Sequence, residues 1–231
     1  MPPVERQAQP FLSGIVLAAG AAQRMGRPKL LLPLEGRCML QHVVDAAVDS
    51  CLDELVIVLG ADADAVRAAL ALPADRAVRV IVNPDYAGGQ STSLRAGLAA
   101  LDARAAAAAI LLGDQPGVDR VLINAVAAAF VAAGAAAARP VYETAAGERV
   151  PGHPVFLHRR LWPACAALHG DAGARTVLAE HPEWVLEVPV AGAPPVDIDT
   201  PEDYDRTVRR GTVNASCKHP LSRIPRGRGP G

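Results

Sequence analysis

Four short, almost continuously apolar runs, each followed by a helix-like stretch, constrain the fold of this chain of 231 residues more than any other feature. Strands that are buried on both faces have this composition, because helices cover both sides of a parallel sheet. The pattern predicts an α/β fold with a mostly parallel central sheet and helices on both faces. The predicted strands cover residues 12–18, 54–60, 78–83 and 107–113, and the predicted helices cover residues 39–51, 62–72, 91–104 and 118–134.

The pattern is less regular after residue 135. We expect a strand at residues 137–142, a loop at 143–153, a strand at 154–157 and then two short helices. The stretch from residue 207 onward holds six basic residues, no acidic residue and a Pro/Gly-rich end, which is typical of a disordered tail. The expected organisation is an N-terminal extension at 1–11, a single domain at 12–207 and a basic disordered tail at 208–231.

Charge and composition argue against several classes of protein. The 23 basic and 24 acidic residues almost cancel, so the net charge gives no reason to expect a nucleic-acid or membrane partner. No apolar run approaches the roughly 20 residues needed to cross a bilayer, and no secretory signal is apparent, so we expect a cytoplasmic protein. The four cysteines include no Cys-x-x-Cys pair, which argues against a zinc ribbon.

A loop of small residues follows the first predicted strand. Small side chains let backbone N–H groups approach a ligand closely, and cations neutralise phosphate oxygens. The loop therefore predicts a polyphosphate site, although it matches neither the Walker pattern nor the dinucleotide fingerprint G-x-G-x-x-G. An ordinary strand-to-helix turn is the alternative. The candidate binding residues of the polyphosphate site are Leu17, Ala18, Ala19, Gly20, Arg24 and Lys29. The only other lysine of the chain lies in the predicted tail.

Acidic residues occur in two places where they can hold a metal ion. Asp114 directly follows the fourth predicted strand, at the edge where parallel sheets bind ligands. A carboxylate there suits Mg²⁺, which takes one or two carboxylates together with phosphate oxygens. Asp197 and Asp199 are expected on the same side of a short strand, and we favour Asp199 as the second ligand. The alternative to a metal-ligand role is that Asp114 only caps the turn that follows it. Thr200-Pro201 predicts the start of a helix, with proline at its first position.

The segment from residue 83 to 97 combines two glycines with a cluster of hydroxyl groups ahead of a helix. Gly88 and Gly89 allow close backbone approach, while Ser91 and Ser93 offer groups that can contact the edge of a nucleotide base. Ser91 taken alone is better explained as a helix N-cap, and the glycine pair as a plain turn.

In this order and spacing the segments resemble the molybdenum cofactor cytidylyltransferase family, within the larger group of MobA-like nucleotidyltransferases. The resemblance covers residues 12–207 and is carried by LAAGAAQRMGRPKLLLPLEG, GGQSTSLRAGL, LLGDQP, GHPVF and DIDTPEDY. It implies a Rossmann-like nucleotidyltransferase fold and transfer of CMP from CTP to molybdopterin, with release of pyrophosphate. It also implies that Ala19 in LAAG, where guanylyl-transferring relatives have LAGG, goes with a preference for cytidine. Ala22 departs from the serine of many relatives.

Under this resemblance a phosphate oxygen of the acceptor attacks the α-phosphorus of CTP directly, and no protein nucleophile is needed. The expected catalytic residues are Arg24, Lys29 and Asp114. The two cations would stabilise the triphosphate and the leaving pyrophosphate, and Mg²⁺ on Asp114 and Asp199 would bridge the α-phosphate and the attacking oxygen. The expected nucleotide-binding residues are Leu17, Ala18, Ala19, Gly20, Arg24, Lys29, Gly88, Gly89, Ser91, Ser93 and Asp114.

His153 and Asp171 are the expected acceptor-binding residues. The alternatives are a structural histidine at position 153 and an Asp171–Arg175 pair on one helical turn. Under the leading hypothesis a molybdenum hydroxylase would be the client that receives the product. Three other hypotheses remain open: transfer to a sugar phosphate or methylerythritol phosphate, a dinucleotide-dependent oxidoreductase, and a non-catalytic escort that hands cofactor to an apo-enzyme.

Overall fold

A sheet of eight strands forms the centre of the computed structural model, which describes residues 9–20, 25, 28–144 and 146–210. In chain order the strands are β1 (Leu12–Ala18), β2 (Pro33–Leu34), β3 (Arg37–Cys38), β4 (Glu54–Leu59), β5 (Val78–Val82), β6 (Ala107–Leu112), β7 (Ala137–Glu143), β8 (Arg149–Pro151), β9 (Val155–His158) and β10 (Val185–Val190). The α-helices are α1 (Met39–Val48), α2 (Ala63–Ala69), α3 (Gln90–Ala99), α4 (Arg120–Ala133), α5 (Trp162–Ala166), α6 (Ala174–Glu180) and α7 (Pro201–Arg210). β2 and β3 form a small hairpin outside the main sheet.

The four strands predicted first are neighbours in this sheet. β1 lies between β4 and β6 and is parallel to both, and β5 continues the parallel part beyond β4. β9 is antiparallel to β6 and β7, whereas β10 is parallel to β7. The order is β10-β7-β9-β6-β1-β4-β5, with β8 paired to β7. The predicted α/β class with a mostly parallel central sheet is confirmed.

Helices cover both faces of the sheet, which explains why the central strands are apolar along their length. Leu55, Ile57 and Leu59 of β4 belong to a core shared with α1 and α4. Val56 and Val58 belong to a second core, shared with α3, α5 and α6. Because consecutive residues of a strand point to opposite faces, a sheet covered on both sides requires apolar residues at every position.

A glycine lets helix α3 lie directly against the sheet. A Cβ atom at Gly97 would lie 2.7 Å from Cγ2 of Ile15 in β1 and 3.2 Å from Cγ2 of Val58 in β4. The first of these distances is shorter than packed carbon atoms allow. The absence of a side chain at Gly97 is therefore what permits this close approach of α3 to β1.

Three expectations about the second half of the chain need correction. The loop expected at residues 143–153 contains β8, which forms a hairpin with β7. A strand of three residues that includes a proline carries too little pattern to be recognised. The sequence pattern does not predict β10, an edge strand that contains Pro189. Residues 196–199 are irregular backbone rather than the short strand expected there.

The predicted N-terminal extension and basic tail lie mostly outside the described residues, which leave out 1–8 and 211–231. Helix α7 continues to Arg210. In the part of the chain that the structure describes, no helix is both long enough and apolar enough to span a membrane.

Candidate active site

An open cleft of about 510 Å³ lies at the carboxyl ends of β1 and β6. In open α/β sheets this is the edge where ligands bind, because the loops that follow parallel strands meet there. The start of α3 and a segment near residue 170 form the remaining wall. The lining residues are Leu17, Ala18, Ala19, Gly20, Lys29, Leu30, Tyr86, Ala87, Gly89, Gln90, Ser93, Leu112, Asp114 and Asp171.

Lys29 joins two carboxylates at one side of this cleft. Its Nζ atom donates to Asp114 Oδ2 and to Asp199 Oδ1, each at 2.7 Å. The Lys29 side chain is only 12% exposed, and the two aspartates are 22% and 36% exposed. Burial by itself lowers the pKa of Lys29, but the charges and hydrogen bonds of Asp114 and Asp199 outweigh it and raise the pKa above its ordinary value. The ammonium group is therefore charged throughout the physiological range.

A backbone hydrogen bond holds the two aspartates together although 85 residues separate them in sequence. The N–H of Ile198 donates to the carbonyl oxygen of Asp114 at 3.1 Å. Ile198 is fully buried in a small core with Met39 and Leu34. Burial of Ile198 leaves its neighbours Asp197 and Asp199 near Asp114, so the predicted proximity exists without the predicted strand.

The start of α7 fixes the segment that carries Asp199. The N–H of Thr200 donates to Asp203 Oδ2 at 3.1 Å, and the N–H of Asp203 donates back to Thr200 Oγ1 at 3.2 Å. This reciprocal arrangement is a capping box, which satisfies N–H groups at a helix start. The predicted helix start at Thr200-Pro201 is confirmed. The Tyr204 hydroxyl of the same helix donates to the carbonyl oxygen of Pro33, which lies close to Lys29 in the sequence.

The carboxylates fit a divalent metal ion. Asp114 Oδ1 is buried and has no hydrogen-bond partner among the described residues, so one oxygen remains open for a cation. Carboxylate oxygens are hard donors, and Mg²⁺ often takes one or two of them while phosphate oxygens and water complete its shell. No group of three or more potential metal-ligating side chains occurs in the described part of the chain.

Asp197 makes a separate contact beside this pair. It accepts a hydrogen bond from Gln115 Nε2 at 2.5 Å. Burial raises the pKa of Asp197, and the nearby charges of Asp114 and Asp199 act in the same direction. Asp199, not Asp197, contacts Lys29. The role of Asp199 as the second metal ligand stays a prediction.

A backbone carbonyl group from a distant segment accepts a hydrogen bond from the first turn of α3. The expectation that Ser91 is the N-cap of this helix is therefore wrong. The N-cap position is Gly89, and the N–H of Ser91 donates to the carbonyl oxygen of Gly170 at 3.0 Å. Ser91 Oγ is fully buried without a partner among the described residues, so it does not cap the helix. Gly89 has φ +97, and a Cβ there would lie 2.3 Å from the carbonyl carbon and oxygen of Gly170.

The structure brings most of the predicted nucleotide-binding residues to one cleft. Gly88 and Ser91 are next to its wall but do not line it. Arg24 lies outside the described residues, so its role stays a prediction. The residues that line the cleft as expected by position are Leu17, Ala18, Ala19, Gly20, Lys29, Gly89, Ser93 and Asp114. Their roles in binding and catalysis remain predictions.

The two expected acceptor residues differ in position. Asp171 lines the cleft, and it forms no ion pair with Arg175. His153 does not line the cleft and is partly buried. Burial lowers the pKa of His153 to about 4; Arg175 adds to this effect, and Asp114 opposes it. His153 is therefore neutral near pH 7, although the negative charge of Asp114 favours the protonated imidazole.

Several residues that line the cleft are not among those predicted from the sequence. Tyr86, Ala87 and Gln90 lie in the predicted base-binding segment, whose predicted contacts are its glycines and serines alone. A tyrosine before two glycines and a glutamine before the hydroxyl cluster were available signals. Nothing in the sequence indicated that Gln115 would contact Asp197, because the two residues meet only in the folded chain.

Comparison with known proteins identifies similar chains across most of the described domain. The family model described as MobA-like NTP transferase domain matches residues 14–184. Nicotine blue oxidoreductase of Paenarthrobacter nicotinovorans is 35% identical over 183 residues, which cover 78% of this chain and 86% of that protein. Purine catabolism protein PucB of Bacillus subtilis is 32% identical over 213 residues, which cover 87% of this chain and 97% of PucB.

The fold is also similar to that of a solved mycobacterial protein. The crystal structure of Rv0371c from Mycobacterium tuberculosis matches with a TM-score of 0.75 and 32% identity, covering 88% of this chain and all of Rv0371c. A second structure of Rv0371c, in complex with manganese, matches with a TM-score of 0.69 and 34% identity, covering 86% of this chain and 98% of that one. A relative of the same fold has thus been solved with bound manganese.

Proposed function

We propose that this chain, which belongs to the family of MobA-like NTP transferase domains, transfers CMP from CTP to the terminal phosphate of molybdopterin and releases pyrophosphate. Family membership makes the chain a nucleotidyltransferase with a Rossmann-like fold, whose substrates are a nucleoside triphosphate and a phosphorylated acceptor. We further propose that CTP is the donor, that molybdopterin is the acceptor and that Mg²⁺ is the metal ion used. The product would be delivered to a molybdenum hydroxylase.

The arrangement of Lys29 between Asp114 and Asp199 is the observation that carries the proposal. Nucleotidyl transfer needs little covalent chemistry from the protein, because the acceptor phosphate is itself the nucleophile. The protein must place the acceptor oxygen in line with the α-phosphorus and compensate the negative charge that develops on the phosphates. A charged, largely buried ammonium group at the ligand-binding edge of the sheet suits this second task.

The two carboxylates have a complementary task. Asp114 and Asp199 would hold Mg²⁺, which supplies positive charge to the phosphate oxygens when it is bound. The unpartnered, buried Oδ1 atom of Asp114 supports this assignment. Lys29 meanwhile reduces the repulsion between the two aspartates, so both carboxylates stay in place beside the cleft.

The preference for a cytidine nucleotide rests on the wall formed by the first loop. Ala19 is 6% exposed and lines the cleft. Its methyl group occupies space that a glycine, as in the LAGG motif of guanylyl-transferring relatives, would leave open. A narrower site favours a pyrimidine over a purine, which supports CTP as the donor.

The acceptor side is formed by Asp171, with His153 nearby. The neutral imidazole of His153 can donate a hydrogen bond to a phosphate or to the polar edge of a pterin. The motifs GHPVF, which contains His153, and DIDTPEDY resemble those of the molybdenum cofactor cytidylyltransferases, and this resemblance supports molybdopterin as the acceptor.

An assay of pyrophosphate release tests donor and acceptor together. The purified chain is incubated with Mg²⁺, each of the four nucleoside triphosphates and one acceptor at a time: molybdopterin, a sugar phosphate or methylerythritol phosphate. We expect release only with CTP and molybdopterin, and the product should be the cytidine dinucleotide of the pterin. Release with another acceptor would replace molybdopterin in this proposal, and binding of molybdopterin without release would instead indicate an escort.

An oxidoreductase is the second candidate, because a relative with 35% identity is named nicotine blue oxidoreductase. The geometry after β4 argues against dinucleotide binding. Dinucleotide folds place an acid there to hold the ribose, but this chain has Gly60, where a Cβ atom would lie 2.6 Å from Cβ of Tyr86. Oxidation of NADH or NADPH by the purified chain, or a flavin absorbance band, would favour this candidate instead.

A further inference from the structure

Asn83, at the end of β5, connects two hydroxyl groups at the start of α3. Asn83 is 3% exposed. Asn83 Nδ2 lies 2.8 Å from Thr92 Oγ1 and 3.0 Å from Ser93 Oγ, while Asn83 Oδ1 accepts from the N–H of Asp85 at 3.0 Å. A backbone N–H group only donates, so the amide oxygen must face Asp85 and the NH₂ group must face the two hydroxyls.

This orientation determines the direction of the hydrogen bonds at both hydroxyls. The NH₂ group of Asn83 has two hydrogens, one for Thr92 and one for Ser93, and both hydroxyl oxygens therefore act as acceptors. Thr92 can pass its own hydrogen to the carbonyl oxygen of Gly89, at 2.8 Å, or of Asp85, at 3.0 Å. The hydrogen-bonding capacity of Thr92 is thus used within the protein.

Ser93 differs from Thr92 in what remains unused. Apart from Asn83, no described residue forms a hydrogen bond with Ser93 Oγ, so its hydroxyl hydrogen has no acceptor in this part of the protein. Ser93 is 4% exposed and lines the cleft. A nearly buried donor without an acceptor is unfavourable unless a ligand supplies one. A purely structural role explains Thr92 but leaves the Ser93 hydrogen unexplained.

We propose that Asn83 is a positioning residue, which holds the Ser93 hydroxyl so that it donates a hydrogen bond to an acceptor atom on the base of the bound nucleotide. This inference rests on the proposed function, because the cleft must bind CTP. Cytosine suits such a donor, since its ring nitrogen N3 and its carbonyl oxygen O2 are adjacent acceptors. Asn83 itself does not line the cleft and acts only through Ser93.

The substitution Asn83→Asp reverses the polarity of this arrangement. A carboxylate accepts from Asp85, Thr92 and Ser93 alike, so the Ser93 hydrogen would turn toward residue 83 and a lone pair would face the base. We expect the Kd for CTP to rise about tenfold, which corresponds to about 1.4 kcal/mol. In the transfer reaction KM for CTP should rise while kcat stays unchanged, because a base contact is equally strong in ground state and transition state.

A double-mutant cycle separates this role from a general effect of the substitution. Ser93→Ala should raise the Kd for CTP by a similar factor, and adding Asn83→Asp to Ser93→Ala should raise it no further. If Asn83→Asp still weakens CTP binding tenfold in the Ser93→Ala background, the cause is charge repulsion or misfolding and the inference is wrong. Should the aspartate variant not fold, Asn83→Ala gives the same cycle with a smaller coupling.

Thr92→Val is the matched control, because it removes the other hydroxyl that contacts the same amide. We expect this variant to lose some thermal stability and to bind CTP with a Kd within twofold of the parent. A tenfold loss of CTP binding in Thr92→Val would show that any disturbance of the amide is sufficient, which contradicts a specific role for Ser93. If the parent chain itself binds no CTP, the proposed function fails and this inference fails with it.

Discussion

The substitution Lys29→Met tests the central claim about the active site, because it removes the ammonium group and keeps most of the side-chain volume. The parent residue makes two hydrogen bonds of 2.7 Å to carboxylates. Loss of one preorganised contact to developing phosphate charge costs about 3 kcal/mol in transition-state stabilisation, which lowers kcat by a factor of about 150. The measurement is pyrophosphate release at saturating CTP and acceptor, well below the melting temperature of both proteins.

The same substitution has a smaller expected effect on folding. Breaking a fully buried ion pair costs about 3–5 kcal/mol, and solvent reduces this figure. Since Asp114 and Asp199 are 22% and 36% exposed, we expect a loss on the order of 1–2 kcal/mol. For a chain of this size the corresponding change in Tm is about 3–6 °C. Activity should therefore fall far more than stability.

The pKa of Lys29 predicts how this stability difference depends on pH. A cation whose folded pKa is raised contributes its full stabilisation below the unfolded pKa, here 10.5, and loses it as the pH rises through the folded value. The difference in unfolding free energy between parent and Lys29→Met should therefore stay constant from about pH 6 to about pH 10. It should shrink only at more alkaline pH.

Arg139→Met is the matched control for an ion pair of similar burial. Arg139 in β7 contacts Glu187 at 2.8 Å, with 19% and 32% of the two side chains exposed, and it does not line the cleft. We expect a comparable loss of stability with unchanged kcat. Turnover of Lys29→Met within threefold of the parent would refute the assignment of Lys29, and an equal loss of turnover in Arg139→Met would attribute the effect to general destabilisation.

Three further predictions concern the metal, a histidine and a glycine. Asp114→Asn should lower kcat by about 100-fold or more and raise the Mg²⁺ concentration needed for half-maximal pyrophosphate release. An unchanged half-maximal Mg²⁺ concentration would argue against Asp114 as a metal ligand. The pKa of His153 is lowered to about 4, so between pH 6.5 and 4 the unfolded chain binds a proton that the folded chain does not, and stability falls as the pH falls. His153→Gln should remove up to about 3 kcal/mol of this acid-induced loss in urea unfolding, and curves of equal pH dependence would contradict it. Gly89→Ala should cost about 3 kcal/mol because its Cβ would meet Gly170 at 2.3 Å, whereas Gly134→Ala, also at positive φ but in open space, should cost only about 1 kcal/mol in the same measurement.

The central strands could be predicted from sequence almost to the residue, and the reason is their environment. The bounds of β1 match the predicted run, and β4, β5 and β6 each end one residue earlier than predicted. β1, β4 and β6 are covered on both faces, so nearly every position must be apolar and the pattern is strong. β5 is an edge strand without a fully buried residue, and its four valine and isoleucine residues are what make it recognisable as a strand. β8 and β10 lie away from the parallel centre and contain prolines, so their patterns are weak.

The candidate site was predictable in composition but not in arrangement. Lys29 and Asp114 were recognisable because each follows a predicted strand at the edge where parallel sheets bind ligands. The failure at Ser91 has a different cause. A serine ahead of a helix is ordinarily a good N-cap, but here the carbonyl oxygen of Gly170 contacts its N–H group from 79 residues further along the chain. No local pattern contains that contact.

The sequence by itself determined the α/β class, the order of the central strands along the chain and the residue types available at their carboxyl ends. These follow from local periodicity and from hydrophobic burial, which act over a few residues at a time. Only the tertiary structure decided that Lys29 would lie between Asp114 and Asp199, and that Asn83 would orient Ser93. Hydrogen bonds and ion pairs require distances set to within a few tenths of an ångström between segments far apart in the chain, and those distances exist only once the cores have packed.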